Sequence, residues 1–273
     1  MDGKTQRGPV LVAGAGDVGQ RLARRLAHEG REVLTLRRRE TAPSPGIRAL
    51  RADLATGEGL ERLPRALGAL VFCAAPDRRD EAAYRALYLD GLRRLLDATD
   101  AARVVFVSST AVYAEDAGEW VDETTPPRPP AFNGQVLLET ETALAAHPGG
   151  ITLRLSGLYG PGRESLLRRA RAGEPGGQRW GNRIHVEDAA AALAHLLRLQ
   201  APQSLYLGND DLPARDADVL AWVRASEGLP VVAPLPGPDT GRRVRNARLR
   251  ASGWAPAFPD FRAGYGPLLA PGV

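Results

Sequence analysis

The sequence predicts an α/β fold built on a doubly wound, mostly parallel sheet, and three observations carry that expectation. Strand-like and helix-like stretches alternate from residue 9 to about residue 155, as in repeated β-α-β units. The apolar runs PVLVAG (9–14), ALVFCAAP (69–76) and RVVFVSST (103–110) lack strict two-residue alternation, so their strands should be covered on both faces. Glycines 14, 16 and 19 stand between the first strand and an apolar repeat at Val18, Leu22 and Leu26, which is the passage from a strand into a helix. Together these read as the Rossmann architecture.

The elements follow in order. EVLTL (32–36) is the second strand, IRALRADL (47–54) the third and ALVFCAAP the fourth. A long helix from about Asp80 to Ala98 precedes the fifth strand, RVVFVSST. TTPPRPPAF (124–132) is too short for a disordered linker and reads as a loop over the sheet edge. Later, SLYLGNDD (204–211) reads as strand and turn, DADVLAWVRASEGL (216–229) as an amphipathic helix and APLPGPDTG (233–241) as a loop.

At 273 residues and 44% hydrophobic, the chain can bury one sizeable core. No apolar run approaches the ~18 residues of a membrane span. Residues 1–8 lack the apolar core of a signal peptide, so a cytoplasmic location is expected. A single cysteine, Cys73, excludes an internal disulfide. Histidines 28, 147, 185 and 195 have no ligand-like spacing, so no metal site is expected. The net charge of +4 raises nucleic acid as a partner. Arg24, Arg25, Arg93, Arg94, Arg168 and Arg169 are however interleaved with leucine and alanine, as on solvated helix faces, which argues against it. Lys4 is the only lysine.

Gly14, Gly16 and Gly19 form G-x-G-x-x-G in the strand-to-helix context that dinucleotide binding requires. Gly14 permits the tight turn, Gly16 leaves room for a pyrophosphate, and Gly19 lets helix and strand pack closely. The helix start, with Asp17 and Val18, presents amides and a partial positive charge to the phosphates. The plain alternative is a glycine-rich turn that binds nothing. At the end of the second strand an NAD site usually carries an acid; here stand Arg37, Arg38 and Arg39, with Glu40 too late to serve. A guanidinium forks onto a 2′-phosphate, so NADP(H) is favoured over NAD(H).

The chain resembles the extended short-chain dehydrogenase/reductases, the NAD-dependent epimerase/dehydratase family, and within it atypical bacterial members. The residues that carry the resemblance are GAGDVG (14–19), RADL (51–54), CAAP (73–76), VSSTAVYA (107–114), LRLSGLYGPGR (153–163), RIHVEDAAAAL (183–193) and the ending RRVRNARLRASGWAPAFPDFRAGY (242–265). The resemblance implies a single domain over 1–273. Residues 1–150 would be mainly the dinucleotide core, and 151–273 would mix the last core elements with a small substrate lobe. It implies cofactor contacts from Asp53, Leu54, Cys73, Ala74, Ala75, Ser108, Leu155 and Gly157. Cys73 otherwise reads as a small core residue on the fourth strand. The family's homodimer uses helices matching 80–98 and 133–146; the second is altered here, so dimerisation stays open.

The departure falls where the chemistry should be. Such enzymes carry Tyr-x-x-x-Lys after the Pro-rich loop; the matching stretch is NGQVLLETE (133–141), with Asn133 at the tyrosine and Leu137 at the lysine. A tyrosine near pKa 10 exchanges protons at neutral pH only beside a cation, and an amide has no comparable proton. The remaining candidates are Ser109 as hydrogen-bond donor to the substrate, and Tyr113 and Tyr159 as replacement acids or as packing residues with bonded hydroxyls. On the substrate side stand Thr110, Asn133, Arg163, Trp180 and His185. His185 is expected to order its loop, Asp188 to serve its helix start, and Glu123 and Arg163 to face a substrate or act as loop charges. Arginines of RRVRNARLRASGW either bind an anionic substrate or cover a surface helix. Two readings survive: an NADP(H)-dependent oxidoreductase or epimerase-like enzyme acting on a small or sugar-derived molecule, and a non-catalytic NADP(H)-sensing protein.

Overall fold

The computed structural model describes residues 8–39 and 44–269; Lys4 and Glu40 lie outside them. The strands of the main sheet are β1 (Val10–Ala13), β2 (Val33–Arg37), β3 (Ile47–Arg51), β4 (Ala69–Phe72), β5 (Val104–Ser109), β6 (Gly150–Leu155) and β7 (Leu205–Gly208). Their order is β7-β6-β5-β4-β1-β2-β3. The pairs β1–β2, β2–β3, β1–β4 and β4–β5 are parallel. The chain runs outward from β1 to β3, then crosses to the other side of β1 to lay down β4. That reversal is the switch point beside which doubly wound sheets bind ligands.

β1 and β4 are buried along their whole length and β2 up to its last residue, as their unbroken apolar runs require. β3 differs. As the edge strand it exposes Arg48, Ala49 and Arg51. The third and fourth strands also end earlier than expected, at Arg51 and Phe72; the last ladder bonds run from Ala52 to the Arg37 carbonyl and from Cys73 to that of Ala13. Cys73 is therefore part-buried and just past its strand, not within it.

The helix Asp17–His28 buries Val18, Leu22 and Leu26 as its repeat predicts, each leucine contributing about 1.5–3 kcal/mol. The helix expected at 80–98 begins with Asp80, whose carboxylate accepts the Ala83 N–H at 2.8 Å. It is not uniform: Arg85–Asp90 is π-helical between the α-helical turns Glu81–Tyr84 and Gly91–Ala98. Tyr84 and Tyr88 interlock there with Phe72, Phe106 and Phe132 at centroid separations of 5.4 to 6.2 Å. Phe132 opens the helix Phe132–Ala145, and Arg85 forks onto Glu139 of that helix at 2.7 and 2.8 Å. The two helices thus dock through an aromatic cluster and a bidentate ion pair.

The chain divides into two compact units. The first comprises Met1–Tyr113, Pro127–Arg154 and Ala190–Tyr206; the second comprises Ala114–Pro126, Leu155–Ala189 and Leu207–Val273. The second unit has a four-stranded sheet in the order Ala214–Arg215, Arg179–Gly181, Thr240–Val244, Ala117–Val121. Its core gathers Tyr159, Leu167, Val219, Val223, Phe261 and Tyr265. On its sheet, Arg215 lies over the Trp180 ring at 4.3 Å, while Arg243 sits 4.9 Å from both Trp180 and Trp120. Among the described residues no helix is long and apolar enough to cross a membrane.

Candidate functional site

The glycine turn separates its three glycines by role. Gly14 has φ +96°, and a side chain there would meet Ala74 backbone atoms at 2.3 Å. Gly19 would bring a Cβ to 2.5 Å from the Gly14 carbonyl, so it lets the helix press on the strand end. A Cβ added at Gly16 would meet no atom of the described residues beyond its chain neighbours within 4 Å. Its lack of a side chain serves nothing inside the chain and leaves open space over the helix start. That start has no side-chain cap. Asp17 is held by Arg21 at 2.8 Å. The turn is tied to its neighbours: Gly14 and Ala15 donate to Leu36 of β2, and Cys73 Sγ to the Gly14 carbonyl at 3.2 Å. Burial pushes the Cys73 thiol up to about 12, so it stays protonated at neutral pH.

Around the turn, Arg37 closes β2 half-buried, and Arg38 pairs with Asp77 in the loop after β4. Asp53 Oδ1 accepts the Ala55 N–H at 2.8 Å, which rounds the turn after β3, and Leu54 is buried beside it. Ala74 is half-buried and Ala75 exposed.

The carboxyl end of β5 carries Ser108, Ser109 and Thr110. Ser109 Oγ accepts the Ala111 N–H at 3.2 Å and caps a short 3-10 turn, Thr110–Val112. A lone pair is thereby used and the hydroxyl proton remains the group's donor. Ser108 faces inward, donating to Glu141 at 2.5 Å. Glu141 binds Arg154 through contacts as short as 2.6 Å, and Arg154 donates to the Tyr113 hydroxyl at 2.8 Å. This network is buried, Arg154 to 3% exposure and Glu141 to 8%. Tyr113 is thus a packed residue whose hydroxyl accepts from a guanidinium. Gly134 allows the start of the helix Phe132–Ala145 to touch the Ala111 carbonyl, since a Cβ there would lie 2.5 Å from it. Asn133, half-buried, sits at this contact, and Leu137 one turn on is buried.

In the second unit, Tyr159 is 3% exposed and donates to the Asp260 carbonyl at 3.2 Å, and burial drives its pKa far upward. His185 is buried with Nδ1 accepting the Glu187 N–H and its ring 3.9 Å from that of Phe258, in keeping with an ordering role. Asp188 lies in the first turn of the helix Val186–Arg198, where a carboxylate suits the helix dipole, and it also accepts the backbone amides of Ala257 and Phe258 at 2.8 and 2.9 Å, pinning that distant segment. Trp180 donates to Asp239 at 3.0 Å, and Arg163 is exposed. Glu123 is raised by burial and accepts the Leu207 N–H at 3.0 Å, so it ties a loop. Leu155 is buried and Gly157 exposed. Sequence reasoning missed Arg154, the role of Glu141, Asp77, and Asp210, which is 1% exposed.

The sequence pattern of the NAD dependent epimerase/dehydratase family matches residues 10–208. The chain belongs to that family. Protein YeeZ of Escherichia coli (strain K12) is 39% identical over 135 residues; the match spans 48% of this chain and 48% of YeeZ, so the chain spans about half the length of this relative. A structure from Methylobacillus flagellatus, provisionally described as an NAD-dependent epimerase/dehydratase, is 39% identical, covers 96% of this chain and 98% of its own, and superposes with a TM-score of 0.84. UDP-glucose 4-epimerase of Thermus thermophilus, solved with NAD, is 24% identical with a TM-score of 0.74 over 94% of this chain and 96% of its own. That likeness speaks to the fold alone.

Proposed function

We propose that the protein is an NAD(P)-dependent, epimerase/dehydratase-like oxidoreductase that prefers NADP(H) and acts on a small or sugar-derived alcohol or carbonyl without the usual Tyr-Lys pair. The observation that carries this reading is the open space over Gly16, since among the described residues nothing crowds the place of its missing side chain. A pyrophosphate fits against that bare backbone, at the uncapped start of the helix Asp17–His28. Asp53 and Leu54 would hold the adenine side, Arg37 and Arg38 a 2′-phosphate, and Cys73, Ala74 and Ala75 the strand-end side of the cofactor; Ser108, expected there too, is instead buried with its hydroxyl committed to Glu141. When bound, the nicotinamide supplies hydride transfer.

The chain's own part is positioning and hydrogen bonding. Ser109 donates its hydroxyl proton to the substrate oxygen, with Thr110 beside it. Asn133 holds that oxygen or a neighbouring group through its amide, and water moves the proton that the missing tyrosine would have moved. Arg163, Trp180 and His185 are proposed for the substrate side, Trp180 because a Gly-rich segment precedes it.

Titration of the purified protein with NADP⁺, NADPH and NAD⁺, followed by calorimetry or tryptophan fluorescence, tests this. Comparable binding of both NADP forms supports the enzyme; no binding defeats it. Arg37→Asp is expected to weaken NADP(H) and spare NAD(H), and equal loss of both would sink the phosphate assignment. A second reading, the non-catalytic NADP(H) sensor, is favoured by the bonded hydroxyls of Tyr113 and Tyr159 and the burial of Leu137. Marked preference for one redox form with no turnover supports that reading.

A further inference from the structure

We propose that Asp77 is a built-in rival of the cofactor's 2′-phosphate for the Arg38 guanidinium, and thereby sets how strongly the site discriminates NADP(H) from NAD(H). The proposal rests on the NADP(H) reading above. β2 and β4 both flank β1, so their ends lie about 10 Å apart across the sheet. Arg38 is the first residue after β2, and Asp77 lies five residues past β4. Their ion pair therefore bridges the gap over the carboxyl end of β1, where the glycine turn begins. It joins residues 39 apart in sequence, so it is no accident of neighbouring positions.

The pair is also built to exchange. Both side chains are largely exposed, Arg38 at 53% and Asp77 at 63%, and ion pairs this open to water are weak. A carboxylate and a phosphate engage a guanidinium through the same fork of donors, and the phosphate carries the greater charge. A 2′-phosphate arriving at the end of β2 can thus take Arg38 from Asp77. A cofactor without that phosphate has nothing to offer in its place. The Arg38 hydrogen bond holds the Asp77 carboxyl below the usual range, and Asp77 in turn raises Arg38. Arg39 adds its field at Asp77 and Asp53 at Arg38.

The test is calorimetric titration of the purified protein with NADP⁺ and NAD⁺ in four forms: wild type, Asp77→Asn, Arg38→Ala, and the double variant. Asp77→Asn is expected to raise the ratio of NADP⁺ to NAD⁺ affinity about two- to five-fold, the range of an exposed ion pair. Arg38→Ala should lower the ratio, and in its background Asp77→Asn should leave the ratio unchanged. A gain shared equally by both cofactors, or one that persists without Arg38, overturns the proposal, because Asp77 then acts only as a nearby charge. A wild type that prefers NADP⁺ yet is indifferent to Asp77→Asn overturns the rivalry and leaves the NADP(H) reading standing. Binding of NAD⁺ alone by all four proteins overturns that reading itself.

Discussion

Replacing Asp210 by asparagine should stabilise this protein progressively as the pH rises. Asp210 follows β7, is 1% exposed, and neither carboxylate oxygen accepts a hydrogen bond from a side chain among the described residues. Burial raises its pKa to about 8, against the pull of Arg183 and with the push of Asp260 and Asp211. In the unfolded chain it ionises near 3.9. Between those values the folded protein holds a proton that the unfolded chain has lost, so stability falls as pH rises through this window and levels off above about 8. At about 1.4 kcal/mol per pH unit, the full interval corresponds to roughly 5–6 kcal/mol. Water reaching the carboxylate relieves part of this, and an effect of about 2–4 kcal/mol is expected. Urea unfolding of wild type and Asp210→Asn, followed by tryptophan fluorescence from pH 5 to 9, reads the difference, because every other titrating group cancels. The curves should lie nearest each other at pH 5 and diverge toward pH 8 with the variant more stable. Parallel curves would mean that Asp210 ionises normally in the folded state and would refute the reasoning.

Four further outcomes follow from the geometry. Gly16→Val should leave unfolding within about 0.5 kcal/mol of wild type, as a surface change does, while lowering dinucleotide affinity at least ten-fold by calorimetry; Gly19→Ala should cost about 1–3 kcal/mol through its clash with the Gly14 carbonyl. Arg154→Met should destabilise by about 3–5 kcal/mol in urea, because it strands the buried Glu141 carboxylate, and adding Glu141→Gln should recover much of the loss. Ser109→Ala should abolish most of any turnover found in a substrate screen while leaving NADP⁺ binding unchanged, and undiminished turnover would remove Ser109 from its role as donor.

The main sheet was legible because β1, β2 and β4 are short apolar runs, and the glycine turn because its spacing and context are local. The strand Ala117–Val121 was not, since its partner Thr240–Val244 lies over a hundred residues away and neither segment alternates cleanly. Arg179–Gly181 and Ala214–Arg215 are too short to leave a pattern. The π-helical turn at Arg85–Asp90 has the same apolar spacing as the α-helix around it. The buried network did leave a signal: Glu141 falls in line with the buried Val136, Leu137 and Leu144, and Arg154 interrupts the apolar run ITLRL. Two opposite charges on inward faces imply each other. Asp77 gave no such sign, because a carboxylate in a polar loop is ordinary until the sheet order places it across from Arg38.

The chain passes between its two units five times, at residues 113, 126, 154, 189 and 206. Neither unit is a contiguous gene segment, so neither can be cut out, fused or exchanged by a single recombination event. Change confined to either unit has to arise by substitution and loop growth in place.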